Sequence, residues 1–278
     1  MPVGLLFPGE MGAEVGAAVR GEVLWASEGR SRATAERAER AGLVDVGSLA
    51  ELVASSDIIF SVCPPAIAED VAVQVFDLGF SGLYVEANAV SPARMARIAE
   101  LGPRIVDGSI LGSDRIHLYL AGPPDDVEEV AALFEGTTVE AIALGSDLGA
   151  ASALKMAFGG WNKIGVALAA QAHAIARAYG VEDALEAEGV AGEHVSRAAP
   201  KAWRWAPEMA EVAATCSELG LPESIGKGAA ELYARWDEHR DTEVPLDRLL
   251  DDLVTSSAPS KRHRPVIADG RAGEPRTS

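Results

Sequence analysis

Through the first 145 residues, short apolar runs alternate with alanine-rich or amphipathic segments. Val3–Phe7, Glu22–Ser27, Asp57–Val62, Gly82–Ala87 and Arg104–Ser109 read as buried strands. Val44–Val46 reads as a short one, and His117–Gly122 and Thr137–Leu144 as two more. Predicted helices fall between them: one after Pro8-Gly9, then Arg30–Ala41, Ser48–Ala54 with Ser48 as its cap, Ile67–Val75, Ala93–Glu100 behind a Ser91 cap and Pro92, and one near Asp125–Phe134. Strand–helix units of this length predict a parallel sheet with right-handed crossovers and helices on both faces.

The pattern changes at Gly145. From Asp147 to Tyr179 there is no proline and no strand signal, and alanine dominates. One long helix is predicted, about 45–50 Å at 1.5 Å per residue, with a possible kink site at Gly159-Gly160. Glu182–Glu188, Trp203–Leu219, Pro222–His239 and Pro245–Val254 continue as helices. The fold class expected is therefore α/β, a Rossmann-type doubly wound parallel sheet followed by an all-α C-terminal domain joined by a long interdomain helix. The expected organisation is a dinucleotide-binding domain over 1–145, a helical substrate and dimerisation domain over 146–255, and a disordered tail over 256–278. The tail is short of apolar residues, and its KRHR run reads as solvated.

The first strand–turn–helix is the chemically informative stretch. Two glycines, Gly9 and Gly12, match the last two of a G-x-G-x-x-G fingerprint, and Phe7 occupies the place of the first. A glycine turn opening a helix offers unpaired N–H groups and the positive end of the helix dipole to a pyrophosphate. An ordinary tight turn has the same local sequence; the regular alternation that follows favours a dinucleotide site. The second strand ends in Ala26-Ser27, without the carboxylate that binds an NAD ribose, and Arg30, Ser31 and Arg32 follow. Cations and hydroxyls there suit a 2′-phosphate, so NADPH is expected over NADH.

Composition narrows the function classes. The formal net charge is -18, which argues against nucleic acid and anionic membrane surfaces as partners. Two cysteines far apart, Cys63 and Cys216, do not suggest a disulfide framework. No leader is visible ahead of the first strand and no apolar run is long enough for a membrane span, so a cytoplasmic location is expected. The five histidines lack metal-ligand spacing, and no metal is expected.

Five segments together resemble the β-hydroxyacid dehydrogenase superfamily, which includes 3-hydroxyisobutyrate and 6-phosphogluconate dehydrogenases. They are VGLLFPGEMG (3–12), VCPP (62–65), EANAVSP (86–92), VDGSILGS (106–113) and GSDLGAASALKMAFGGWNK (145–163). PKAWRWAPEMAEVA (200–213) and the segment around AAELYARW are similar to a branch with its own helical domain of unknown function, DUF1932. The resemblance implies hydride transfer between NAD(P) and an alcohol or carbonyl carbon, a small-molecule substrate and a homodimer. It makes Lys155 the general acid/base; independently, a lysine among Leu154, Met156 and Phe158 is open to desolvation, which lowers its pKa.

The expected cofactor contacts are Phe7, Pro8, Gly9, Glu10, Met11, Gly12, Ser27, Arg30, Ser31, Cys63, Pro64 and Asn88. Expected substrate contacts are Asn88, Ser109, Gly112, Ser113, Gly159, Asn162 and Trp203. Three departures from the family pattern stand out. The asparagine one turn after the lysine is Gly159 here, with Asn162 as a stand-in on the same face. The D-x-S-T segment reads Glu86-Ala87-Asn88-Ala89. The substrate-carboxylate loop S-G-G reads Leu111-Gly112-Ser113, which points to a substrate larger, more apolar or other than a simple hydroxy acid, with Trp161, Trp203 and Trp205 either as pocket walls or as helix-packing core. An imine reductase-like enzyme and a non-catalytic NADPH-binding sensor or scaffold are the alternatives.

Overall fold

The computed structural model describes residues 1–112 and 115–254. The expected contact Ser113 and the tail over 256–278 lie outside the described residues. Eight strands form one sheet in the order β3-β2-β1-β4-β5-β6-β7-β8. They are β1 (Val3–Leu6), β2 (Val23–Trp25), β3 (Val44–Asp45), β4 (Ile58–Ser61), β5 (Leu83–Glu86), β6 (Ile105–Leu111), β7 (Ile116–Ala121) and β8 (Val139–Gly145). The order reverses between β1 and β4, so their carboxyl ends border the crevice where such sheets bind ligands. Alternate residues of each strand feed two cores. Leu5, Ile58 and Phe60 enter one, and Leu6, Ile59 and Tyr84 the other, which is why the central strands read as continuous apolar runs.

The first six strands are parallel, as their spacing predicts, but β7 runs antiparallel to β6 with Asp107 opposite Ala121. The connection is too short for a crossover and turns at Gly112, whose φ of +97° favours glycine. Helices α1 (Glu10–Ala18), α2 (Arg32–Arg40), α3 (Leu49–Ser55), α4 (Ala68–Asp77), α5 (Pro92–Ala99) and α6 (Pro124–Ala132) connect the strands. Ser48 and Ser91 accept hydrogen bonds from Glu51 N and Arg94 N as N-caps, as their positions predict.

The helical half begins with α7 (Ala150–Tyr179), 30 residues and about 45 Å long. It continues through α8 (Glu182–Ala187), α9 (Glu193–Ala198), α10 (Ala202–Glu218), α11 (Ser224–Ala234) and α12 (Leu246–Leu253). The run expected as one helix over 222–239 is shorter: α11 stops at Ala234 and a 3-10 turn covers Asp237–His239. α7 passes through Gly159-Gly160 without interruption. A β-carbon at Gly160 would lie 3.2 Å from Val212 of α10, so the glycine pair serves close helix packing. Met156, Ala167, Met209, Tyr233 and Trp236 form the core of this half. None of the described helices is long and apolar enough to cross a membrane.

Candidate functional site

The turn after β1 has the geometry of a phosphate cradle in spite of Phe7. Phe7 adopts φ 60°, the left-handed conformation that glycine takes without cost. Its carbonyl accepts from Gly9 N at 2.6 Å. A β-carbon at Gly12 would approach that carbonyl to 2.8 Å, so Gly12 is required for α1 to pack against the strand end. At Gly9 a β-carbon would project into open space, 3.9 Å from the nearest atom, the Phe7 carbonyl oxygen. No side chain caps α1, leaving its first-turn amides available. Pro8 is buried and its carbonyl accepts from Arg37 at 3.2 Å, while Met11 packs on the sheet core.

Arg30 lies with its guanidinium carbon 3.5 Å from the centre of the Phe7 ring, and its Nε is buried without a partner among the described residues. Burial pushes its pKa down. Arg32, the second cation of the sequence argument, pairs with Glu36 of its own helix at 2.7 Å on the exposed surface. Ser31 is the N-cap of α2, its hydroxyl accepting from Thr34 N at 3.2 Å. Ser27 donates its amide to Asp45, at 3.1 Å. A carboxylate does therefore stand near the end of β2, supplied by β3. Burial alone would raise the Asp45 pKa, but hydrogen bonds from Ser27 and Gly47 bring it below its ordinary value.

The ends of β4 and β5 interlock through Asn88. Its Nδ2 donates to Ser61 Oγ at 2.8 Å, and its Oδ1 accepts from Cys63 N. The carboxamide thus holds the Cys63-Pro64 turn, so Asn88 positions the strand end. Burial and the nearby Glu86 push the Cys63 thiol up to about 12, leaving it protonated. Glu86 is itself fully buried and pushed up to about 8 by that burial; one oxygen accepts from Asn88 N at 3.1 Å and the other has no partner among the described residues.

β6 carries the link to the helical half. Asp107 caps α7: its carboxylate accepts from Gly149 N at 2.9 Å, Ser152 N at 3.0 Å and Ser152 Oγ at 2.6 Å. Burial pushes the Asp107 carboxyl up, and these bonds offset part of that. One turn beyond the cap, Lys155 donates from Nζ to the carbonyl of Ile110 near the carboxyl end of β6, at 2.7 Å. Its side chain retains some exposed surface, yet its ammonium is desolvated enough to bring it down to about 8; Lys163 pushes the same way and Glu208 opposes. Ser109, on β6, is buried, and its hydroxyl has no partner among the described residues. Gly112 belongs to the β6–β7 turn.

Beyond Lys155 the site departs from the sequence expectation. Glu208 of α10 pairs with Lys163 of α7 at 2.6 Å. A β-carbon at Gly159 would lie 2.6 Å from Glu208 Oε1, so the carboxylate fills the place left by the missing side chain. Asn162 is exposed and makes no hydrogen bond with a described residue. Trp161, expected as a pocket wall, is 80% exposed. Trp203 carries Arg240 over its ring at 3.8 Å, and Trp205 meets Tyr233 edge-on. A separate groove of about 520 Å³, lined by Leu168, Ile175, Ile225 and Leu232, opens between α7 and α11, and Lys155 is not among its walls.

Asp45, Asp107, Glu208 and Glu211 were not singled out by sequence. Glu211 accepts from Ser91 N at 2.8 Å and pairs with Arg94 at 2.9 Å, anchoring α10 to the loop after β5. Asp107 had a usable signal, an acidic residue inside an apolar strand run; an acid on a helical face has none.

Residues 176–236 match the model of a domain of unknown function, DUF1932. The chain is 30% identical over 168 residues to an uncharacterised 28.5 kDa protein in the 7S RNA 5′ region of Methanothermus fervidus. That match covers 59% of this chain and 65% of the relative's length. Among solved structures it is similar to the 3-hydroxyisobutyrate dehydrogenase of Mycobacterium tuberculosis crystallised with L-serine (TM-score 0.65, 15% identity, 91% of this chain and 99% of that one). It is also similar to an imine reductase from Myxococcus stipitatus in complex with NADP+ (TM-score 0.53, 20% identity, 90% and 100%). The chain thus shares the fold of that 3-hydroxyisobutyrate dehydrogenase, and its residues 176–236 are similar to DUF1932.

Proposed function

We propose that this chain is an NADPH-dependent oxidoreductase acting on an alcohol or carbonyl carbon of a small molecule, with Lys155 as general acid/base. The observation that carries the reading is Lys155 itself, brought down to about 8 and tethered to the Ile110 carbonyl at the carboxyl end of β6. A lysine in that range is poised to give a proton to a forming alkoxide or take one from an alcohol. The cradle at Phe7–Gly12 and the Arg30 guanidinium would hold the dinucleotide, and the nicotinamide would supply or accept the hydride. The turn fits that group, because a β-carbon at Gly9 would occupy open space and α1 lacks a side-chain cap.

We divide the chain into a dinucleotide-binding unit over 1–145 and a helical unit over 146–255, the latter bordering the substrate. Preference for the 2′-phosphate rests on Arg30, whose Nε is buried without a partner among the described residues, more than on Arg32, which lies on the surface with Glu36. The likeness to an NADP+-bound imine reductase favours an imine-reducing reading as the alternative, and Lys155 weighs toward carbonyl chemistry.

The deciding experiment is a tryptophan-fluorescence titration with NADPH and, separately, NADH. Saturation by NADPH with much weaker NADH binding supports the reading. Saturation by NADH alone overturns the phosphate assignment, and no response to either overturns the oxidoreductase assignment.

A further inference from the structure

Gly159 lies one turn beyond Lys155 on α7, and Lys163 one turn further. The three share a helix face, and the middle member has no side chain. The space above it is filled from another element. Glu208 of α10 is 7% exposed, places Oε1 2.6 Å from where a β-carbon at Gly159 would be, and bonds Lys163 Nζ at 2.6 Å. Lys163 is also fixed from its other side: Tyr233 donates to its backbone carbonyl at 2.6 Å, and the Trp205 ring lies 5.5 Å from its ammonium. The carboxylate is therefore held in one place by a buried ion pair. The second oxygen of Glu208 accepts no hydrogen bond from a described residue.

We propose that Glu208 is the positioning residue for Lys155, supplying from α10 the polar group that α7 lacks at Gly159, with Lys163 fixing it. This rests on the reading of Lys155 as the acid/base. A carboxylate differs from a carboxamide in two ways that matter here. It accepts hydrogen bonds and cannot donate them, and it carries a charge that favours the ammonium form of a neighbouring lysine. Among the described residues, the charges that act on Lys155 are Glu208 from α10 and Lys163 from α7, while β6 offers the neutral Ile110 carbonyl. Glu208 thus counteracts the desolvation that drives Lys155 toward neutrality and keeps a proton available.

The test needs neither substrate nor cofactor, so its outcome is independent of whether the oxidoreductase reading holds. The chain has five lysines: Lys155, Lys163, Lys201, Lys227 and Lys261. Lysine-selective NMR of the full chain, assigned by single Lys→Arg variants, gives each titration midpoint. The midpoint expected for Lys155 in the wild type is about 8. Glu208→Gln moves that midpoint down by about half a pH unit or more and leaves Lys201 and Lys227 where they were. Gly159→Ala does the same without replacing Glu208, because the added methyl displaces the carboxylate; alanine also favours the helix, and an unchanged far-UV spectrum verifies that the variant is folded. A Lys155 midpoint unchanged in the folded Gly159→Ala variant, or in Glu208→Gln, overturns the proposal.

Discussion

Arg204 of α10 donates to Glu10, the first residue of α1, at 2.9 Å. The bond holds the Glu10 carboxyl below the usual carboxylate range and ties the helical half to the mouth of the phosphate cradle. Both side chains are substantially exposed, at 34% and 61%, so the pair adds about 1 kcal/mol or less to stability. Under the proposed function, its consequence lies in binding. Glu10 sits at the helix end that a pyrophosphate would approach, and Arg204 neutralises it.

Arg204→Ala should therefore leave the thermal midpoint nearly unchanged and weaken NADPH binding by roughly three- to tenfold, about 1 kcal/mol. Fluorescence titration of both proteins at equal ionic strength measures this. Unchanged affinity would mean that Arg204 has no part in the cradle's electrostatics.

Under the proposed function, Lys155 connects activity to stability. Its pKa falls from 10.5 in the unfolded chain to about 8 in the fold. Below pH 8 both states hold the proton and the folded state bears the desolvation cost; between about 8 and 10.5 the unfolded chain binds more protons, so stability rises with pH. Lys155→Met removes the ammonium and keeps the packing. The variant should be more stable than wild type by about 1–2 kcal/mol at pH 7, after allowing for the lost bond to Ile110, with the advantage shrinking toward pH 10.5. Its turnover should fall by about 10²–10⁴-fold while dinucleotide binding persists. Urea unfolding at several pH values, with parallel activity assays, tests both halves; a variant that turns over normally would remove Lys155 from the mechanism.

Much of this architecture was legible in the chain because its strands are buried on both faces and its turns carry strong local signals. Ser48, Ser91-Pro92 and Gly9-Gly12 each mark an element boundary that the structure places within a residue or two. The antiparallel β7 was not legible, because direction depends on the length of a connection and not on strand composition. Site composition was less legible still. Phe7 breaks the fingerprint in sequence, but its backbone takes the conformation a glycine would. Arg32 and Asn88 looked free for ligands, and the fold engages Arg32 with Glu36 and Asn88 with Cys63 and Ser61. Glu208 and Asp107 reach Gly159 and α7 from elements 49 and more than 40 positions away, distances over which periodicity carries no information.

Glu86 gives a stability signature of opposite sign. It is fully buried, and burial raises its pKa from 4.5 to about 8. The folded state keeps this proton through a range where the unfolded chain loses it, so stability is fully present below about 4.5 and declines as pH rises through 8. Glu86→Gln is neutral at every pH and preserves the acceptor for Asn88 N. It should match wild type near pH 4.5 and exceed it by about 2–4 kcal/mol at pH 8. Urea midpoints across that range measure the difference, and parallel curves for the two proteins would show that Glu86 is ionised inside the fold.

The outer face of α7 bears on assembly. Phe158, Trp161, Leu168, Ile175 and Tyr179 are exposed along one helix, from 43% at Phe158 to 80% at Trp161. Their spacings of three, seven, seven and four residues keep them on one stripe, in the register of an interhelical seam. The groove between α7 and α11 lies alongside, walled in part by Leu168 and Ile175. An apolar surface of this extent on a folded chain marks an interaction face. We expect the chain to be a homodimer that buries the stripe against its partner, and Leu168→Glu with Ile175→Glu to place two charges on the seam. Light scattering at micromolar concentration should give twice the chain mass for wild type and the single mass for the double variant, with the same far-UV spectrum. A wild-type monomer would leave the stripe to some other partner, and a double variant that remains dimeric would place the interface elsewhere.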